Sequence, residues 1–321
     1  MKAKEIIDLI KQGLTIDEIK SRICNDDNEW YCYSSKAYSI QLENAKRERK
    51  KQESSPHVVT NSNKDIPTIL DINEKLADKA FLLPIFLTGG ELDIIKSHKS
   101  DFPNSESKII QIISKMTMQP RLRVLQRKGR FENLEYFKIF KKLIDAATLS
   151  YYRTNFISCY LTLVPVIEGI IIRWNGYSIS DEKPEFEEIR KFFKNPALRQ
   201  PCPNNIQFHD VYAKACDKIL NRHFYKPTMT GNSFANFNRH VASHLLIDDE
   251  FATKENCIRL FMLLDAMTEI YLYESRVSDP RIDLKDEDIL EEIDLLTKVI
   301  LENTEKTPEQ MILKTNITDL I

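Results

Sequence analysis

Between Phe156 and Ile172 the chain is almost continuously apolar. A segment of that length without a polar face is a helix that must be covered all round, so the rest of the chain has to supply the helices that bury it. The run is nearly long enough to span a bilayer, but Pro165 and Glu168 interrupt it, and a central bundle helix with no membrane association is the expectation. Glu168 is then an acid in an apolar setting. It is expected either to pair with an arginine or histidine of a neighbouring helix and orient it, or to meet solvent at the end of the bundle.

The surroundings of that run are also helical in pattern. Only 7 of the 321 residues are Gly, and no series of alternating strands with regularly spaced turn signals is present, so an all-α fold is expected. The formal net charge of −2 provides no global field that would draw the chain to nucleic acid, so any such attraction must be local. Cys24, Cys32, Cys159, Cys202, Cys216 and Cys257 form no C-x-x-C pair; neither a metal site nor any other cofactor is expected. Cys159, Cys216 and Cys257 lie in apolar helical patterns and suit a small core residue in a reducing cytoplasm. Met1 to Gly13 is charged and amphipathic, unlike a signal peptide.

Taken in order, residues 1–51 form an N-terminal helical segment. Ile6, Ile7, Leu9 and Ile10 stripe a first helix, Gly13 ends it, and Thr15 with Glu18 three residues later is a capping box that starts a second. A third helix is expected from Ser35 through Lys51, ending in the basic run Lys46 to Lys51; three such helices could form a helix-turn-helix or a packing hairpin. Residues 52–65 are polar and serve as a linker. Residues 66–131 form a helical connecting region, with Gly89-Gly90 expected as a turn. Within it Arg121, Arg123, Arg127, Lys128 and Arg130 make a cationic stretch without an acid, suited either to an exposed connector or to RNA phosphate contacts.

Two long helices are expected from Phe140 to Trp174. Leu143, Ala146, Ala147, Tyr151 and Phe156 are expected to pack one face of a helix, and a helix over Asn256–Tyr273 closes the unit. The acidic segment 276–321 has helical periodicity over Asp286–Ile300; residues 303–321 lack it and are expected to be loose.

The chemistry concentrates at Asn238-Arg239-His240-Val241-Ala242-Ser243-His244. Phe234, Phe237, Val241 and Leu245 recur at intervals of three and four, which predicts a helix with one buried face. His240 and His244 then project the same way, one turn apart. Arg239 and His244 are about 7.5 Å apart along the axis and about 140° around it, an offset that a long arginine can bridge. A guanidinium holds phosphate through paired donors at any physiological pH, and an imidazole with a pKa near 6.5 can take or give a proton. On RNA the nucleophile is already present as the 2′-hydroxyl. A decoy stands nearby: Asn221-Arg222-His223 repeats the triplet, but Pro227 occupies the position five beyond Arg222.

Arg239-His240-x-x-x-His244, with the segment Leu161–Gly169 before it and Phe251–Asn256 and Leu260–Asp265 after it, resembles the Arg-x4–6-His motif and helices of the HEPN superfamily over roughly residues 132–275. One departure is Leu245, where many relatives carry Gly. The resemblance implies an all-α HEPN-like bundle with an added N-terminal helical region. It also implies a homodimer and a metal-independent endoribonuclease of the phage-defence or toxin type, acting on an RNA substrate. In that scheme Arg239 and His244 are catalytic, Arg239 clamping the phosphate and His244 moving the proton. Asn238 and His240 position the phosphate or its neighbours, and Glu168 supports them. An inhibitory partner or domain would be expected for such an enzyme. The same residues also fit a non-catalytic HEPN-like module that binds RNA or a nucleotide, and the N-terminal helices fit a DNA-binding regulator.

Overall fold

The computed structural model describes residues 2–12, 14–30, 32–37, 40, 66–85, 87, 89–98, 102–177, 185–194, 199–201, 206–227, 234–244, 250–275 and 277–320. All regular structure among them is helical, so the fold is all-α. In chain order the helices are α1 (Lys2–Lys11), α2 (Ile16–Ile23), α3 (Ile66–Ala77), α4 (Gly89–Ser97), α5 (Phe102–Thr117), α6 (Pro120–Gln126), α7 (Glu135–Lys138), α8 (Lys141–Tyr152), α9 (Phe156–Trp174), α10 (Phe186–Arg190), α11 (Ile206–Ile219), α12 (Arg239–Ser243), α13 (Lys254–Glu274), α14 (Asp286–Glu302) and α15 (Pro308–Leu313).

The axis of the bundle is α13, in which every residue from Asn256 to Thr268 is buried. The apolar helix α9 packs along one side of it and α11 along another; α8 covers α9, and α3 covers α11. By length and composition alone α9 could cross a membrane, but here it buries Cys159, Leu163, Val166, Ile167 and Ile170 in the protein core. At Gly169 an added Cβ would stand 2.6 Å from Cζ of Phe140, so only glycine lets that ring lie against the helix.

A helix buried on every side can carry polar groups only if each is paired. Asp265 takes both terminal nitrogens of Arg123, and Arg130 reaches Glu269, Asp279 (2.9 Å) and the Thr268 hydroxyl (3.1 Å). These pairs fasten α6 and the π-helical turn Arg127–Phe131 to α13. The cationic stretch is therefore neither an open connector nor a phosphate-binding face. Arg123 and Arg130 are 2% and 1% exposed. Arg127 is held by Asp145 (2.7 Å) and Glu292, and Lys128 by Glu292 (3.2 Å). Arg121 alone of the five is exposed. Apart from Glu132, 3.6 Å from Arg127 and five residues on, the acids that neutralise this stretch lie 18 to 165 residues away along the chain, out of reach of a local reading.

Other expectations shift for equally physical reasons. The third N-terminal helix begins at residue 27, well before Ser35, because the Asp26 carboxylate caps the N–H of Glu29 at 2.7 Å. Its basic end, Lys46 to Lys51, and the linker 52–65 lie outside the described residues. Gly89-Gly90 opens α4 and is not a turn. On α8 the buried face is Ile144, Ala147, Thr148 and Tyr151; Leu143 and Ala146 are exposed. The end of the chain is packed, not loose: Thr307 and Gln310 form a capping box for α15, Asn303 donates to the Tyr152 carbonyl, and Thr315 meets Thr154 at 2.8 Å.

The N-terminal helices have their own small core of Ile6, Ile7, Ile19, Ile23, Trp30 and Ala37. It docks through Asp210 of α11, which accepts from Trp30 Nε1 (3.2 Å) and Lys20 Nζ (3.1 Å).

Removing Asp265 would strand the Arg123 charge inside the bundle. Asp265→Ala should lower unfolding stability by about 3–5 kcal/mol in urea titrations. A loss below about 1 kcal/mol would place Arg123 in water and overturn this account of α6.

Candidate functional site

The motif helix α12 is five residues long, too short to persist unaided, and Asn238 holds it in place. The Asn238 backbone is extended (φ −148°, ψ 132°), and its side-chain oxygen accepts from the N–H of His240 (2.7 Å) and Val241 (3.4 Å). Its amide nitrogen donates to the carbonyls of Lys226 (2.7 Å) and His223 (3.3 Å). At 1% exposure, with both ends engaged, Asn238 cannot touch a phosphate; its role is to anchor the helix that carries Arg239. The decoy triplet is structural too: Arg222 pairs with Asp78 (3.0 Å), and buried His223 bonds the Ala77 carbonyl (3.0 Å) while its own carbonyl receives Asn238.

The expected apolar stripe is shorter than its spacing suggests. Phe234–Asn236 is a separate 3-10 turn with Ala235 at φ 50°, ψ 32° and Asn236 at φ 56°, and Phe234 is 37% exposed. Two consecutive left-handed residues without glycine are strained and need outside support. Asn256 of α13 provides it, donating to the Ala235 carbonyl at 2.8 Å. Phe237, Val241 and Ala242 form the buried face, and Leu245 lies outside the described residues.

Arg239 donates through Nε to Oε2 of Glu168 on α9 at 2.8 Å, with 23% and 18% of the two side chains exposed. Its terminal nitrogens have no hydrogen-bond partner among the described residues. The structure thus brings together Arg239 and Glu168, which stand 71 residues apart. His240 and His244 stack with ring centres 6.0 Å apart and planes 9° from parallel; His240 is half-buried and His244 exposed.

Two residues that sequence reasoning missed complete the site. The Phe186 ring lies 5.4 Å from His240 and meets Tyr225 edge-on at 5.5 Å. Tyr225 is fully buried, and its hydroxyl has no partner among the described residues; burial, then the neighbouring Glu168 charge, pushes its pKa well up. Neither residue shares a spacing pattern with the motif, so no local signal could have found it. Burial, then the charges of Arg239 and His244, holds His240 below the ordinary histidine pKa. The arrangement presents a guanidinium held by Nε, with terminal nitrogens unpartnered among the described residues, on the same short helix as one imidazole of lowered pKa, followed by one open to solvent. Among the described residues no group of three or more His, Cys, Asp or Glu side chains is placed to hold a metal ion.

Compared with known families, curated proteins and solved structures, the chain matches none.

His240 and His223 are both held below the usual value near 6.5, His223 chiefly by burial. The unfolded chain therefore binds more protons than the folded one as pH falls through that region, and stability should drop as pH goes from 7.5 to 5.5. Melting curves should show a smaller drop in His240→Gln than in the parent. An identical pH dependence in both would show that His240 titrates normally.

Proposed function

We propose that the chain is a metal-independent endoribonuclease of the HEPN type, serving phage defence or a toxin system. The carrying observation is the Arg239–Glu168 ion pair, which holds the guanidinium by Nε and leaves its two terminal nitrogens without a hydrogen-bond partner among the described residues, on the short helix that begins the stacked histidine pair. A fork with both ends open suits two phosphate oxygens.

The reaction balances without a cofactor. His244, exposed and stacked on His240, accepts the proton of a 2′-hydroxyl. The 2′-oxygen attacks the adjacent phosphorus, and Arg239 neutralises the charge that grows on the non-bridging oxygens. The P–O5′ bond breaks, the 5′-oxygen leaves with a proton delivered by an imidazolium, and a 2′,3′-cyclic phosphate remains. His240 borders the phosphate, Glu168 keeps Arg239 aimed, and Asn238 acts only through the helix it caps. Pairing of two motifs across a homodimer follows from the HEPN resemblance and belongs to the same proposal. So does control by an inhibitory partner or by the chain's own terminal segments.

The test is incubation of the full chain with RNA in excess chelator, followed by analysis of the new ends. Cyclic phosphate ends should appear, and His244→Ala or Arg239→Ala should slow cleavage by about 10²–10⁴-fold while the protein stays folded. RNA that binds but stays intact would return the chain to the non-catalytic module. Full activity in His244→Ala would remove the imidazole from the mechanism.

A further inference from the structure

Among the described residues four arginines are buried: Arg123, Arg130, Arg199 and Arg259. The first three face carboxylates, namely Asp265, the Glu269–Asp279 pair, and Glu274 at 3.1 Å. Arg259, 4% exposed, has no ion pair among the described residues. Its Nε donates to the Lys79 carbonyl (3.0 Å) and its Nη1 to Asn256 Oδ1 (2.6 Å), while Nη2 has no hydrogen-bond partner among the described residues. Faces of Phe81 (4.3 Å) and Phe234 (5.2 Å) lie against the guanidinium. Burial pushes its pKa down to about 10, and the charge of nearby Glu255 offsets only part of that. A cation this deeply placed is costly to hold without a direct ion pair.

Arg259 lines a cleft of about 1010 Å³ between α5, α8 and the first turn of α13. That volume is at the upper end of what small-molecule sites have, about 300–1,000 Å³. Lys115 and Lys254 stand at the cleft, and neither forms an ion pair among the described residues. Of the two carboxylates there, Glu106 is already paired with Lys79 at 3.3 Å, and Glu255 is exposed. The opposite wall is apolar and aromatic, from Ile110, Met118, Tyr151, Tyr152 and Ile300. The positive end of the 21-residue α13 opens on the same space through Lys254 and Glu255.

We infer that this cleft is a binding site for a small organic phosphate, with its anion on Arg259 and Lys254 and its apolar or aromatic body on the tyrosine wall. A guanidinium, a lysine and a helix N-terminus line one cleft that can take an anion, and the apolar residues there can cover what the anion carries. The site is also joined to the motif. Asn256, which accepts from Arg259, donates to the Ala235 carbonyl in the strained turn before Arg239. The proposal does not depend on the nuclease reading, because it concerns different residues and its readout is binding.

The experiment is calorimetric titration of the full chain with phenyl phosphate, inorganic phosphate and phenol. Phenyl phosphate should bind, at least about tenfold more tightly than either fragment, because it alone uses both halves of the cleft. Lys254→Glu, a partly exposed position whose variant should fold, is expected to weaken it about tenfold, and Arg259→Gln at least as much, with circular dichroism confirming the fold. Arg239→Ala should bind phenyl phosphate as the parent does; loss there would place the anion at the motif and overturn the assignment. No heat from phenyl phosphate, equal affinity for inorganic phosphate or for phenol, or undiminished affinity in Lys254→Glu would each overturn it as well.

Discussion

The structure turns on the burial of α13. A helix wrapped on all sides gains from every apolar side chain it hides, about 1.5–3 kcal/mol for each large one, but it can keep a polar residue only where another segment comes to meet it. Each polar position on α13 thus dictates the placement of something else. Asp265 and Glu269 draw in Arg123 and Arg130, and with them α6 and the turn after it. Asn256 holds the turn before the motif, and Glu274 gathers His209 and Arg199. The molecule's charged interior is a consequence of its most buried helix.

The candidate site inherits its geometry from that arrangement. Five residues of helix cannot hold themselves together, so α12 is fixed by what surrounds it. Asn238 pins its start to the end of the preceding π-helical turn, Asn256 supports the strained residues upstream, and Glu168 reaches from α9 to take Arg239 by one nitrogen. The stacked imidazoles lean on Phe186, which leans in turn on Tyr225. Rigidity of this kind suits a group that must meet a phosphate in one orientation.

Much of this was legible beforehand, wherever the determining partner is close in sequence. The capping box of Thr15 and Glu18, the long apolar α9, the extent of α14 and the one-turn spacing of His240 and His244 all follow from neighbours within a few residues. The arginine stretch was misjudged because its acids come from α8, α13, α14 and the segment after α13. Leu143 and Phe234 fit an apolar period and still face solvent, since period alone does not say which stripe the rest of the bundle will cover. The C-terminal segment looked loose because, apart from the local Thr307–Gln310 capping box, its order comes from Tyr152 and Thr154, far up the chain.

Local periodicity and the scarcity of glycine were enough to commit this chain to helices and to place an arginine and two histidines on one short stretch, because helix formation and side-chain direction are decided over three to four residues. Only the packed fold decided that Arg239 would be held by an acid 71 residues away, that Asn238 would be spent as a cap, and that Arg259 would be buried at the edge of a cleft. Those outcomes depend on which distant surfaces meet when the apolar faces close, and no window of sequence contains both halves of such a contact.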